Sequence, residues 1–343
     1  KRELFIMRIA IMGAGSLGTI LGAYVSKAGY DVVLIDPYQE HVDALNKDGA
    51  HVIGTVDFVQ PVKAITPDQM DGVYDVVIYM AKQTYNDTAI PQIQAHIDDN
   101  STVCVCQNGI PEYAVSAVIG TERVVGAPVG WGATFQGPGC SALTTTEGRL
   151  NFTLGSLDGP INDHVKRVKP ILESMGEVIV SENLLGLRWT KLLMNSTFSG
   201  LSTALGTTFG GVMDDDVAMQ LILKDGKECL DAAANAGITL EPYEEYDFYQ
   251  AFKRGNKATN DASIALIREI WQPHYKLTAS MAQDLMKGRK CEIYDINGVV
   301  CDTGRKYGIP TPVNDRIVEV VAGIQDGKYQ YSPENIKYFK DLL

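Results

Sequence analysis

Short apolar runs alternate with amphipathic stretches over the first half of the chain, and the alternation stops near residue 180. Residues 7–12, apolar except for Arg8, predict a strand, and residues 16–28 predict a helix that starts as soon as the first glycines end. Further strands are predicted over 32–35, 75–80 and 102–106, with helices over 39–47 and 91–97 between them, and 124–127 and 150–154 add strands that close this part. Short apolar strands alternating with helices imply βαβ units and a parallel sheet covered on both faces. From Asn183 onward the strand signal gives way to helical periods over 187–204, 214–236, 264–286 and 317–324. Asp214, Asp215 and Asp216 ahead of Val217 make a good helix start, because carboxylates accept from free amides and oppose the positive dipole end.

A length of 343 residues suits two domains, and 45% hydrophobic with 21% charged residues excludes a disordered or coiled-coil chain. The net charge is 30 − 42 = −12 without Lys/Arg runs, which argues against nucleic acid or an anionic membrane as partner. Six cysteines without a C-x-x-C pair favour reduced thiols and supply no metal-ligand pattern, so no metal is expected. Gly13, Gly15, Gly18 and Gly22 interrupt the charge-free stretch 9–26, which is therefore not read as a signal peptide. No other segment reaches about 18 consecutive apolar residues, so a cytoplasmic location is expected. Lys1–Ile6, ahead of Met7, is read as upstream sequence or a cloning remnant.

Gly13-Ala14-Gly15-Ser16-Leu17-Gly18 fits G-x-G-x-x-G between a predicted strand and a predicted helix, the context in which the pattern means dinucleotide binding. Gly13 allows the tight turn, Gly15 lets a pyrophosphate approach the backbone, and Gly18 lets the helix pack on the sheet. Asp36, at the end of the second strand, should accept from ribose hydroxyls and repel a 2′-phosphate. No basic residue follows before Lys47, so NAD(H) is favoured over NADP(H). The alternative for Asp36 is a cap on the following helix. The expected fold class is α/β: an N-terminal Rossmann-type doubly wound parallel sheet over 7–180, then an all-α domain over 181–343.

Residues 187–199 are apolar around much of a helix, and Lys191, Asn195, Ser199 and Ser202 form one polar stripe at i, i+4, i+8 and i+11. A buried lysine is costly unless it has a partner or a task, such as donating a proton to a developing alkoxide. The alternative is a lysine reaching solvent along its stem.

In chain order, Gly13-x-Gly15-x-x-Gly18, Lys82, Gln107-Asn108-Gly109, Trp189-Thr190-Lys191-Leu192 with Asn195, Ser280-Met281-x-Gln283-Asp284 and Glu292-Ile293-Tyr294-Asp295-Ile296-Asn297-Gly298 resemble the ketopantoate reductases (2-dehydropantoate 2-reductases), from Met7 to about Thr311. The resemblance implies hydride transfer from NAD(P)H to the keto carbon of a 2-oxo acid, ketopantoate to pantoate, in a cleft between a Rossmann and a helical domain. NADP(H) is used in much of the family, and the resemblance allows a homodimer. It implies that Lys191 is the general acid, that Lys82 and Asn108 lie at the cofactor, and that Asn108 also meets the substrate. Asn195, Ser199 and Ser280 would hold the substrate's polar groups, and Glu292 would orient its hydroxyl and the lysine. Without the resemblance, Glu292 reads as an ordinary helix-surface carboxylate.

Three departures bear on the substrate. Tyr294-Asp295 reverses the family's usual acid and phenol, Ser199 stands where asparagine is common, and 243–274 is a longer connection than usual. Its aromatic residues, among them Tyr246, Phe248, Tyr249, Phe252 and Trp271, with Tyr275 beyond, fit a pocket for a larger 2-oxo acid, an interface or core packing. Asp36 and the glycine-rich run 130–139 also look like the family's NAD-dependent D-2-hydroxyacid (D-mandelate-type) dehydrogenases. A dinucleotide-binding redox sensor without turnover is the alternative of another class, and Lys191 with Glu292 argues against it.

Overall fold

A computed structural model describes residues 7–343, so the expectation about Lys1–Ile6 lies outside the described residues. The chain divides into two compact units, one ending at Leu184 and the other running from Leu185 to Leu343.

The first unit contains β1 (Arg8–Met12), α1 (Ser16–Lys27), β2 (Asp31–Ile35), α2 (Gln39–Asp48), β3 (Ala50–Gly54), β4 (Phe58–Gln60), β5 (Lys63–Ile65) and β6 (Val76–Tyr79). It continues through α3 (Asn86–Gln94), β7 (Thr102–Val105), α4 (Pro111–Ile119), β8 (Val124–Gly126), β9 (Ala133–Gly137), β10 (Cys140–Leu143), β11 (Asn151–Ser156), α5 (Asp163–Leu172) and β12 (Glu177–Val180). Eight strands pair in the order β12-β11-β8-β7-β6-β1-β2-β5. Side chains alternate across this sheet. Ile9, Ile11, Val32, Leu34, Val76 and Ile78 enter one core, while Ala10, Met12, Val33, Ile35, Val77 and Tyr79 enter the other. Burial on both faces is why the central strands read as continuous apolar runs.

The parallel sheet needs a correction at one edge: β11 pairs antiparallel with β8, and β12 follows β11 in parallel. A second sheet, β4-β3-β10-β9, has no counterpart in the sequence reading. Its strands are short and half-exposed, with Thr134, Phe135 and Gln136 of β9 all exposed, so no apolar run marks them.

The second unit is helical. It carries most of α6 (Leu184–Met194), then a π-helical segment Asn195–Gly200, α7 (Leu201–Ala204), α8 (Phe209–Met213), α9 (Asp216–Asn235), α10 (Phe248–Ala251), α11 (Lys257–Trp271), α12 (Ser280–Met286), α13 (Asn297–Tyr307) and α14 (Pro312–Gln325). The Asp215 side chain caps α9 by accepting from the amides of Val217 and Ala218. The helix expected over 264–286 breaks after Trp271, because Pro273 cannot donate to a continuing ladder, and resumes at Ser280. The helix expected over 187–204 widens into the π segment, and residues there advance by a smaller angle than in an α-helix. The regular polar stripe therefore does not continue past Asn195, and Ser202 is fully buried.

The aromatic connection resolves largely into core. Trp271 stacks on Phe198 of the π segment, with centroids 4.7 Å apart, and on Phe248 at 5.7 Å, while Phe252 meets it edge-on at 6.0 Å. Tyr249 and Tyr275 stay exposed.

Glu228 of α9 accepts from the amides of Val313 and Asn314 and from the Asn314 side chain, at 2.9–3.1 Å, so a buried carboxylate satisfies the first turn of α14. One turn earlier Asp225 is fully buried, with the Asn314 side chain alone set to offset its charge. Burial, then the Glu228 charge, pushes its carboxyl well above the ordinary carboxylate range. A carboxyl that binds its proton more tightly when folded contributes stability at pH below about 4, and that contribution is lost as pH rises toward the folded value. Asp225→Asn, which cannot ionise, should match wild type near pH 4 and exceed it in Tm increasingly toward pH 8. Because each pH unit between the unfolded and folded values is worth about 1.4 kcal/mol, the gap should reach several degrees in thermal melts followed by circular dichroism.

Candidate active site

In the first unit the expected residues lie just beyond the C-terminal ends of adjacent parallel strands: Gly13–Gly18 after β1, Asp36 after β2, Lys82 after β6 and Asn108 after β7. From β1 the chain builds outward to β2 and β5, then returns to β6 on the other side, so the strand order reverses between β1 and β6. Ligands of open α/β sheets bind at that reversal.

Gly13 and Ala14 donate backbone bonds to the Ile35 carbonyl at 2.9 and 3.0 Å, closing the turn. Gly13 has φ +100°, and a Cβ there would stand 2.3 Å from the Ala81 nitrogen. At Gly18 a Cβ would stand 2.1 Å from the Gly13 carbonyl oxygen, whereas at Gly15 it would meet nothing within 4 Å. Gly15 is exposed, Ser16 and Leu17 are half-buried and Ala14 is buried. Helix α1 begins at Ser16 without a side-chain cap or an acidic residue in its first turn. Free amides at a positive dipole end, with open space before them, fit an anionic pyrophosphate.

Asp36 is half-buried, and its Oδ1 accepts from the Tyr38 amide at 3.0 Å. The bond turns the chain into α2 while the first amides of that helix have no side-chain cap, so Asp36 does not cap it. Burial raises the Asp36 carboxyl pKa, opposed by the Tyr38 bond. Lys82 is half-buried, and Gln83 beside it donates to the Asn108 carbonyl at 2.6 Å, joining the loops after β6 and β7. Gln83 and His41 escaped the sequence reading, because their partners are distant in the chain and neither belongs to a local motif.

In the second unit, α6 buries Arg188, Trp189, Thr190, Leu192 and Leu193 and leaves Lys191 half-buried. Asn195 opens the π segment and Ser199 lies within it, both half-buried. Such segments are frequent at functional sites. Asn297 of α13 holds this one by donating to the Ser196 carbonyl at 2.9 Å, and a Cβ at Gly200 would collide with Asn297 Oδ1 at 2.5 Å. Helices α12 and α13 both pack on the π segment. Ser280, exposed, is the first residue of α12, and Glu292 is buried in the turn ahead of α13 instead of on a helix surface. Helices α12 and α13 thus meet the segment that carries Asn195 and Ser199, with Ser280 opening α12, Glu292 five residues before α13 and Lys191 one turn before the π segment. Asp295 is half-buried and its carboxyl is raised by burial, while Tyr294 is exposed.

No helix among the described residues is long and apolar enough to cross a membrane. A glycine turn at the reversal of a Rossmann sheet, followed by a helical unit, defines the class of two-domain dinucleotide-binding oxidoreductases. Residues 9–158 match the family described as ketopantoate reductase PanE/ApbA, and residues 183–325 match its C-terminal counterpart. The chain belongs to the ketopantoate reductase family. It is 26% identical over 313 residues to a 2-dehydropantoate 2-reductase of Pyrococcus abyssi, covering 90% of this chain and 94% of that one. Among solved structures, D-mandelate dehydrogenase with NADH and anilino(oxo)acetate is similar at a TM-score of 0.79 and 25% identity, over 94% of this chain and 99% of the other. A ketopantoate reductase of Ralstonia eutropha JMP134 has the same fold at a TM-score of 0.79 and 24% identity, with the same coverage.

Proposed function

We propose that this enzyme reduces ketopantoate, or a closely related 2-oxo acid, to the 2-hydroxy acid, using NADH in preference to NADPH. The observation that carries the chemistry is Lys191, a half-buried side chain on an otherwise largely buried helix, one turn from a π segment on which α12, opened by Ser280, and α13 both pack. The amides from Gly15 into α1 would hold the pyrophosphate and Asp36 the adenosine ribose, with Lys82 and Asn108 toward the nicotinamide. When bound, the reduced nicotinamide supplies the hydride to the keto carbon. Lys191 Nζ donates a proton to the carbonyl oxygen, where charge accumulates in the transition state. Asn195, Ser199, Ser280 and Asn108 hold the acid's polar groups, and Glu292 orients the lysine and the substrate hydroxyl.

Asp36 and the likeness to a D-mandelate dehydrogenase that binds NADH support a second reading, an NAD-dependent D-2-hydroxyacid dehydrogenase. Rates of NADH and NADPH oxidation with ketopantoate, phenylglyoxylate and 2-oxoisovalerate separate the two. The first reading requires the highest kcat/KM with ketopantoate and the second with phenylglyoxylate. Dinucleotide binding without turnover of any acid would favour the redox sensor. NADH should lead NADPH by about tenfold or more, and Asp36→Ala should narrow that gap by removing both the ribose contact and the repulsion of a 2′-phosphate. Equal kcat/KM for the two cofactors rejects the preference.

A further inference from the structure

We infer that His41 is a positioning residue of the dinucleotide site: it holds the Ala14 carbonyl so that the Gly15 amide faces the pyrophosphate. The inference rests on reading Gly13–Gly18 as the pyrophosphate seat. His41 lies on α2 and is 1% exposed. Its Nδ1 accepts from the Gly139 amide at 2.9 Å, which places the ring proton on Nε2. Nε2 lies 2.7 Å from the Ala14 carbonyl oxygen and 3.1 Å from Thr19 Oγ1, and the Thr19 hydroxyl donates to the same carbonyl at 2.7 Å. The Ala14 oxygen is thus fixed inward by two donors. In a trans peptide the carbonyl and the following N–H point in opposite directions, and the described residues contain no cis peptide. Anchoring the Ala14 oxygen inward therefore turns the Gly15 N–H outward, at an exposed residue with open space around it.

The ring is itself held from two sides. Phe135 of β9 meets it edge-on at 5.1 Å, and Tyr38 stacks at 6.5 Å. Gly139, in the turn between β9 and β10, packs on α2 at Ala44. The second sheet thereby buttresses the glycine turn through one imidazole, and Rossmann geometry alone does not supply that link.

The experiment uses the whole chain. His41→Phe keeps a ring and deletes both nitrogens, whereas His41→Gln restores an amide donor and acceptor. By fluorescence titration, the Kd for NADH should rise about tenfold in His41→Phe and recover to within about threefold in His41→Gln. Imidazole 15N spectra of the wild type, which need no variant, should show His41 protonated at Nε2 only, and the Gly15 amide should be among the resonances that shift most on adding NADH. A His41→Phe variant that binds NADH as wild type does, a proton on Nδ1, or a Gly15 amide that stays still while the Asp36 amide moves each overturns the proposal. Failure of the wild type to bind either dinucleotide overturns the pyrophosphate reading and this inference together, whereas normal binding by His41→Phe overturns the inference alone.

Discussion

Lys191→Ala should lower kcat by about 10²–10⁴-fold, the range for removing a general acid, while NADH affinity measured by titration changes by less than about threefold. The two quantities separate because Lys191 belongs to the helical unit and the glycine turn to the other. Alanine is a strong helix former and Lys191 is half-buried, so α6 should persist and thermal melts should change little. Lys191→Arg keeps the charge in a larger, planar group that does not deprotonate near neutral pH, and it should recover little of the rate. A Lys191→Ala enzyme with most of its turnover would show that the lysine only reaches solvent along its stem.

Glycine substitutions in the turn should split into two kinds. Gly13→Ala forces a side chain to φ +100° and into the Ala81 backbone at 2.3 Å, combining about 1–3 kcal/mol of conformational strain with displacement of the segment after β6. NADH binding should fall by about 100-fold or more and the melting temperature should drop. Gly15→Ala is the informative contrast. Gly15 has φ −65° and an added methyl meets no protein atom within 4 Å, so the fold should keep its melting temperature while the methyl crowds the pyrophosphate and weakens NADH. Unchanged NADH binding in Gly15→Ala would place the dinucleotide elsewhere.

The central strands and the glycine turn were legible because their signals are local: an apolar run buried on both faces, and three glycines spanning the passage from a strand into a helix. The second sheet was not, since β4 has only three residues, β10 four, and β9 turns its middle residues to solvent. The helical unit was legible in outline, but its breaks were not. Pro273 offered a signal that the helical period between Ile264 and Met286 masked. The π segment leaves no mark in hydrophobic spacing, because Phe198 and Leu201 remain apolar and buried either way. Lys191 and Asn195 came from a polar stripe on an apolar helix and Ser280 from motif order, whereas His41 and Gln83 act through partners 98 and 25 residues further along the chain.

The bond between His41 and Gly139 also orders events in folding. The glycine turn has its local pieces once β1, α1 and β2 exist, yet the imidazole that fixes the Ala14 carbonyl gains its own anchor only with the hairpin of β9 and β10, and β3 gains its parallel partner only with β10. Contacts of such long sequence separation form late, because the chain between them must first lose its freedom. During synthesis a chain that has emerged only as far as β8 therefore carries the nucleotide motif without the buttress that holds it, and the turn reaches its final shape after residues 133–143 have followed.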